Sequence, residues 1–356
     1  MRIVSLLASG TEIVCALGAG EWLVGRSHEC DNPPWVQSLA QCSEPAFDVS
    51  VSSGEIDREV RRRLRAGEPL YIIHDDLIRA LEPDIIITQS HCEVCAVTPG
   101  DVKRNGKVGI NPVMATLSAS TIEEILGSVQ YVADVLSAAV EGGLQPPHQS
   151  KTGFSLASPQ RDSSPARTKV RPPKASSAEP GLKHRLQAKA CSTISELRGR
   201  LDRVRERTAM RPRPTVVVLE WADPIFCIGN WGPELMEIVG GKSMLGNPGQ
   251  LSRSIPADQL RETDPDVLIV APCGFNLERA LGEQAVLERL PWWGDLKAVR
   301  TGRVAFADGN LYFNRAGITI ARTAEILAEI LHGVETNGLT EGSCWRWYTE
   351  SRVRVV

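Results

Sequence analysis

Two short segments of the chain concentrate side chains that bind transition metals. His28 and Cys30 stand in the first segment, and His91, Cys92 and Cys95 stand in the second. Imidazole and thiolate together suit Zn²⁺, cobalt or iron. Cys92-x-x-Cys95 alone is a weak sign of structural zinc, which normally takes a second pair of ligands. The residues leave three interpretations open: metal contact, ordinary packing and hydrogen bonding, or a redox dithiol.

An enzyme built on these residues would need parts that the sequence does not offer. A nucleophilic Cys92 activated by His28 would require a third, orienting group and an oxyanion site. The chain has no nucleophile elbow, phosphate-binding glycine loop or zinc-protease helix motif. We therefore predict a binding protein and no enzymatic activity. A receptor for a free metal ion is one alternative, and a thiol-dependent enzyme is another.

Aromatic side chains form a second set of candidate contacts. The chain has eight Trp against four Tyr and six Phe, and Trp joins a large apolar face to a polar N–H. Trp221, Trp231, Phe275 and Tyr312 fall at or just beyond predicted strand ends, where open α/β sheets place their ligands. We predict that they line a ligand site, with packing between lobes as the alternative.

The elements that position these residues follow from the apolar pattern. Residues 1–120 alternate strand-like runs at 3–7, 85–88 and 107–110 with helical patterns at 11–17 and 75–81. Thr11 is the predicted N-cap of the first helix. This alternation predicts an α/β lobe.

A connecting region is predicted over residues 121–210. Apolar residues recur at helical spacing after Thr121, and again from about residue 186. Between these helices, residues 141–188 are basic, rich in Pro and Ser, and poor in large apolar side chains, which predicts a disordered insertion. Residues 211–333 again alternate strands and helices, which predicts a second α/β lobe. The tail at 334–356 follows no recognisable pattern.

The fold class predicted is therefore α/β: two α/β lobes joined by a long backbone helix, with a ligand cleft between the lobes. A helical connector is stiff, so we expect modest closure on binding. The net charge of −3 gives no argument for nucleic acid binding. No apolar run reaches the length of a membrane span. The opening residues lack a secretory pattern and the nine Cys lack disulfide spacing, so we expect a cytoplasmic protein.

Several motifs resemble those of substrate-binding proteins for iron chelates and vitamin B12, in particular a non-exported, cobalamin-binding branch. They are Ile3-Val4-Ser5-Leu6-Leu7-Ala8-Ser9-Gly10-Thr11-Glu12, Gly25-Arg26-Ser27-His28-Glu29-Cys30-Asp31, Thr88 to Val97, Leu219-Glu220-Trp221-Ala222-Asp223-Pro224, Gly229-Asn230-Trp231-Gly232-Pro233-Glu234, Ala271-Pro272-Cys273-Gly274-Phe275 and Asp308 to Arg315. The resemblance implies a small-molecule ligand: cobalamin, another corrinoid or a related metal chelate.

The resemblance also assigns roles to single residues. Asp223 and Asn310 would hydrogen-bond the amide side chains of a corrin, and His28 or His91 would be an axial ligand of its cobalt. After Arg315 the chain has Ala316-Gly317-Ile318-Thr319 in place of the expected Pro-rich stretch, which predicts an altered loop at the cleft. Exported relatives dock on a membrane transporter through one acidic residue on each lobe.

The nearest positions here are Asp76 and Glu237. We do not expect transporter docking of a chain that is not exported.

Overall fold

Apolar residues cover both faces of a parallel sheet in the first part of the chain. Ile3, Ile85 and Ile87 pack on one face, while Val4 and Ile86 pack on the other. Successive side chains of a strand point to opposite faces, so a sheet covered on both sides needs apolar strands throughout. The computed structural model describes residues 1–92, 94, 96–104, 112–142, 181–335, 337–338 and 340–349.

The first lobe holds this sheet and a separate antiparallel pair. Its strands are β1 (Ile3–Ser5), β2 (Leu23–Arg26), β3 (Ala40–Gln41), β4 (Ser43–Pro45), β5 (Tyr71–Ile73), β6 (Ile85–Gln89) and β7 (Val113–Leu117). Its helices are α1 (Ala8–Ala16), α2 (Ser53–Ala66), α3 (Asp75–Leu81) and α4 (Pro99–Arg104). The parallel sheet has the order β3-β2-β1-β6-β7, and β4 pairs with β5.

Helix α1 begins earlier than predicted. The N-cap is Leu7, and the backbone N–H of Thr11 already donates to the carbonyl oxygen of Leu7 at 3.0 Å. Thr11 is therefore inside the helix, and its hydroxyl donates to the Cys30 sulfur at 3.0 Å. The capping prediction for Thr11 was wrong because this hydroxyl bonds a side chain of the core. The strand predicted at 107–110 lies outside the described residues. The next described strand, β7, begins at Val113.

Two long helices connect the lobes. Helix α5 (Ile122–Val140) begins with the predicted Thr121 cap, whose side chain accepts from the backbone N–H of Glu124. Helix α6 (Leu182–Thr208) begins inside the segment 141–188 that was predicted to be an insertion, and residues 143–180 lie outside the described residues. The early start of α6 is explained by Leu186, which is 2% exposed in the first-lobe core.

The connecting helices run antiparallel. Lys183 Nζ bonds Glu141 Oε1 at 2.8 Å at one end, while Arg198 bonds Glu123 at 2.6 Å nearer the other. Each helix belongs to both lobe cores: α5 gives Ile125 to the second core and Val132 to the first, and α6 gives Leu201 and Leu186 in the same way. The predicted backbone helix is thus a pair of helices.

The second lobe is built around a mixed sheet. Its strands are β8 (Thr215–Trp221), β9 (Phe226–Cys227), β10 (Lys242–Ser243), β11 (Arg253–Ser254), β12 (Val267–Val270), β13 (Val304–Ala307) and β14 (Trp345–Trp347). Its helices are α7 (Gly232–Ile238), α8 (Ala257–Thr263), α9 (Leu277–Gly282), α10 (Gln284–Leu287), α11 (Lys297–Arg300) and α12 (Ile320–His332). Strands β8, β12 and β13 are parallel neighbours. The two-lobed α/β prediction is confirmed.

The tail contributes a strand that the sequence pattern does not reveal. Strand β14 pairs antiparallel with β13 and so covers one edge of the second sheet. Trp345 is 1% exposed and its indole N–H donates to Thr340 Oγ1 at 2.9 Å. Residues 340–349 are therefore part of the second lobe.

Candidate functional site

Loops that follow parallel strands bring the two lobes into contact. In the first lobe they follow β1, β2 and β6, and in the second they follow β8, β12 and β13. The carboxyl ends of parallel strands lie at one edge of a sheet, which is where open α/β sheets bind ligands. We call the surface where the lobes meet the seam. The residues that bond across it are Glu12, Glu29, Asp31, Val49, Val51, Ser53 and His91 from the first lobe, and Trp221, Asn230, Arg279, Glu283, Asn310 and Arg315 from the second.

Arg315 is buried among acceptors of the opposite lobe. Its Nη1 donates to Glu12 Oε1 at 2.8 Å, and its Nη2 donates to Asp31 Oδ1 at 2.7 Å and to the Glu29 carbonyl oxygen at 3.2 Å. The side chains of Arg315 and Glu12 are 6% and 0% exposed. Asn310 adds a bond from its Nδ2 to Asp31 Oδ2 at 2.9 Å. Desolvating such charges is costly, so removing one partner of the pair would be strongly destabilising.

One carboxylate oxygen at the seam has no partner among the described residues. Glu12 Oε2 is buried and receives no hydrogen bond. Burial raises the pKa of Glu12, and Arg315 opposes that rise. Gly317 passes so near that a Cβ there would lie 3.5 Å from this oxygen and 2.9 Å from Ser9 Cβ. A buried acceptor without a donor is a position that a ligand's N–H can satisfy.

Further carboxyl groups surround the same guanidinium. Burial raises the pKa of Glu29 to about 7, Arg315 opposes this, and Asp31 adds to it. Burial also raises the pKa of Asp308, again with Arg315 lowering it and Asp31 raising it. Four carboxyl groups, including Glu12, therefore share a single cation.

An aromatic pair lies on another part of the seam. Trp221 and Phe275 pack edge to face with ring centroids 5.2 Å apart, and the guanidinium of Arg279 stands over the Phe275 ring at 3.6 Å. Trp221 Nε1 donates to the Ser53 carbonyl oxygen of the first lobe at 3.2 Å. Arg279 donates to the carbonyl oxygens of Val49 and Val51. This part combines apolar ring faces with polar links between lobes.

His91 forms a third link between lobes. Its Nε2 lies 3.0 Å from Asn230 Oδ1 of the second lobe, and its Nδ1 lies 3.4 Å from Ser120 Oγ. Burial lowers the pKa of His91. Next to it, Cys92 helps raise the pKa of Glu220, which burial brings to about 7. Because burial lowers the pKa of His91, it favours the neutral imidazole, which is the form that ligates metals.

The predicted metal site is not assembled by its described members. His28 Nδ1 bonds Ser43 Oγ at 3.2 Å; burial lowers the pKa of His28 to about 4. Cys30 is 1% exposed and is bonded by the hydroxyls of Thr11 and Ser27. Among the described residues no group of three or more His, Cys, Asp or Glu side chains is arranged to hold a metal ion.

His91 and Cys92 lie at the seam, as described above. Cys95 lies outside the described residues. The pattern of residue types did not reveal that the first segment bonds within its own lobe.

The six residues predicted to contact the ligand differ in their positions: some lie on or against the seam, one packs in the core of the second lobe, and one is half-buried. Trp221, Phe275 and Asn310 lie on the seam, and Asp223 lies against it, leaving no room for a Cβ on Gly54 of the first lobe. Trp231 is 6% exposed and packs in the core of the second lobe, and no described hydrogen bond joins its side chain to the first lobe. Tyr312 is half-buried, and burial together with Cys344 raises its pKa.

Sequence reasoning missed the charged residues of the seam. Arg315 was quoted only within a family motif, and Glu12, Glu29, Asp31 and Glu220 were given no role. Each follows the carboxyl end of a strand or ends one, which is a signal that the sequence carries. What it does not carry is the pairing of Arg315 with residues about three hundred positions away.

The two candidate docking positions are both on the surface. The Asp76 side chain is 95% exposed and pairs with Arg79, and the Glu237 side chain is 58% exposed and pairs with Arg213. No helix in the described part of the chain is long and apolar enough to cross a membrane.

The sequence and the fold of this chain are both similar to those of known proteins. Residues 184–311 match the model of the periplasmic binding protein family. The fold is similar to that of a periplasmic heme binding protein from Pseudomonas aeruginosa, with a TM-score of 0.63, 18% identity, and 98% of each chain covered. It is also similar to the periplasmic vitamin B12 binding protein of Vibrio cholerae, with a TM-score of 0.54, 17% identity, and 93% of this chain and 96% of that chain covered.

A third similar structure is an ABC transporter substrate-binding protein from Listeria monocytogenes, with a TM-score of 0.59, 15% identity, and 94% and 99% of the two chains covered. A search of the curated proteins finds no match. The predicted resemblance is confirmed at the level of the fold: residues 184–311 match the periplasmic binding protein family model, and the two-lobed fold is similar to those of a heme binding protein and a vitamin B12 binding protein.

Proposed function

We propose that this chain is a non-catalytic binding protein that captures a corrinoid, such as cobalamin, or a related metal chelate between its lobes. The observation that supports this most is the seam, where the carboxyl ends of parallel strands from both lobes lie near aromatic, amide and charged side chains. Sites for small molecules in such folds combine apolar surface with a few placed polar groups. Two similar folds are described as binders of heme and of vitamin B12.

Ligand entry would require the lobes to part. The links from Arg315 to Glu12 and Asp31, and from His91 to Asn230, close the seam directly. A planar macrocycle would replace these links and would stack on Trp221 or Phe275. Each connecting helix contributes side chains to the cores of both lobes. Because this packing resists bending of the connection, we expect a small opening motion.

His91 is the better candidate for an axial ligand of the metal. It lies on the seam, and its pKa is lowered by burial. His28 instead bonds Ser43 and packs 5.5 Å from the Tyr71 ring, both in its own lobe. The proposed compartment is the cytoplasm, where the eight described cysteines, all free thiols, would remain reduced.

Titrations of the purified, metal-free protein with hydroxocobalamin, with hemin and with free Zn²⁺ test this function. Each titration is followed by visible absorbance and calorimetry. We expect saturable binding of a macrocycle, weakened about 10-fold to 100-fold in Trp221→Ala, a change that removes a seam anchor. Trp347→Ala, a half-buried Trp on strand β14, is the matched control and should bind as the parent does.

The spectral shift of bound cobalamin should be lost in His91→Ala and kept in His28→Ala. Stoichiometric uptake of free Zn²⁺ with no macrocycle binding would overturn the proposal in favour of a metal-ion receptor. Binding without any spectral effect of His91→Ala would remove only the axial-ligand assignment.

A further inference from the structure

The seam carries many more carboxyl groups than cations. The acidic side chains that meet across it or stand beside Arg315 are Glu12, Glu29, Asp31, Glu220, Asp223, Glu283 and Asp308. The cations are Arg279 and Arg315, which bond across the seam, and Arg58, which lies at its edge near Asp223. Seven acids against the two guanidiniums that bond across the seam and Arg58 at its edge make the seam electronegative when the acids are ionised.

Both guanidiniums that bond across the seam are already occupied. Arg315 is bonded by the carboxylates of Glu12 and Asp31 and by a backbone carbonyl oxygen. Arg279 is bonded by two backbone carbonyl oxygens and lies flat on Phe275. Neither Arg279 nor Arg315, therefore, remains to pair with a carboxylate that a ligand would bring.

Hydrogen-bond acceptors, in contrast, are in excess. Glu12 Oε2 is fully buried at the seam without a donor. Glu29 presents a second carboxyl group, near Arg315 and Asp31, that no described side chain bonds, and Asn230 and Asn310 add amide groups on the opposite lobe. An N–H group from a ligand would satisfy Glu12 Oε2, whereas a ligand carboxylate at the same place would meet like charge.

We propose that the seam selects metal macrocycles whose periphery carries neutral amide groups and rejects those whose periphery carries carboxylates. This inference rests on the proposed function and narrows its ligand class. The residues that determine this specificity are Glu12, Glu29 and Asp308. Their carboxylates repel an anionic periphery, and Glu12 Oε2 accepts a hydrogen bond from a ligand amide. A free metal ion is a poorer match to the acidic seam, because no described group of three ligands is arranged to hold one.

Two corrins that share one ring and one cobalt test the inference. Aquocobinamide carries amides around the ring, and cobyrinic acid carries carboxylates at the same positions. We expect the full chain to bind aquocobinamide about 100-fold more tightly than cobyrinic acid at about pH 8, with a smaller ratio at high salt because screening weakens repulsion between charges. Hemin, a dianionic macrocycle, should bind as weakly as cobyrinic acid.

Variants of seam residues test whether the seam sets the ratio of the affinities for aquocobinamide and cobyrinic acid. Glu29→Gln with Asp308→Asn removes two charges without changing side-chain size, and should narrow the ratio about 10-fold by strengthening cobyrinic acid binding. Asp76→Asn removes one exposed carboxylate away from the seam, and should leave the ratio unchanged.

Equal affinity for the two corrins, or tighter binding of cobyrinic acid or hemin, would overturn the selectivity while leaving the proposed function intact. An unchanged ratio in the double variant would overturn the assignment to these residues. Failure of all three macrocycles to bind would overturn the proposed function and this inference together.

Discussion

Asn230 holds a left-handed backbone conformation, with φ of 53°, at the point where its side chain bonds His91 of the other lobe. Asn adopts this conformation more easily than most residues, since its short polar side chain bonds locally. Its backbone N–H donates to the Gln250 carbonyl oxygen at 2.6 Å, which fixes the turn. The conformation and the link between lobes thus depend on the same residue.

Replacing Asn230 separates these two contributions. Asn230→Gly loses the His91 bond but keeps an unstrained backbone, whereas Asn230→Ala loses both. We expect Asn230→Ala to lower the free energy of unfolding by about 1–2 kcal/mol more than Asn230→Gly does. Urea denaturation of the two variants measures the difference. Equal stabilities would show that the backbone at this position carries no strain.

Residue types predicted part of the site. Phe275 and Asn310 were assigned to the cleft because they follow strand ends, and both lie on the seam. Trp231 carried the same signal, yet its side chain packs in the core of the second lobe, at the N-cap position of α7. Position along the chain predicts which edge of a sheet a residue reaches, and it does not predict which way the side chain turns.

Strand β14 illustrates what is hidden at the scale of an element. It is three residues long, too short for an alternation pattern, and it is recognised only through its pairing with β13. Helix boundaries were easier to predict where a capping residue was present: α5 starts after Thr121 as expected. Helices α9 and α10 are separated at Glu283, just after Gly282, and Glu283 accepts a bond from Ser53 across the seam.

The tail should stabilise the second lobe through Trp345. Because this side chain is 1% exposed in the core, Trp345→Ala should lower the free energy of unfolding by about 3–5 kcal/mol. Arg346→Ala, on the opposite face of the same strand, should change it by less than about 0.5 kcal/mol. Urea denaturation followed by circular dichroism compares them. A small effect of Trp345→Ala would mean that the lobe is complete without β14.

Stability of the whole molecule should depend on the buried acids of the seam. Burial raises the pKa values of Glu29 and Glu220 to about 7 from an ordinary value of 4.5. Between these values the folded state keeps protons that the unfolded state has released, so the contribution of these groups to stability falls as pH rises through this window. Arg315 and Asp31 beside Glu29, and Ser252 and Cys92 beside Glu220, are the groups that face them.

We expect the parent chain to lose about 5 kcal/mol of stability between about pH 5 and pH 8 from these two groups. The variant Glu29→Gln, Glu220→Gln has no such groups to ionise and should show a flatter dependence. Urea midpoints at several pH values measure both slopes. Identical slopes would show that neither carboxyl group keeps its proton in the folded state.

The ends of α5 and α6 meet where Lys183 bonds Glu141, and Gln187 bonds Asp134 at 3.0 Å one turn further in. The two helix ends that flank residues 143–180 therefore lie close together. Closing a longer loop costs only about 0.6 kcal/mol for each doubling of its length. The two helix ends are therefore suited to the insertion or replacement of a connecting segment that leaves the contacts of the seam unchanged.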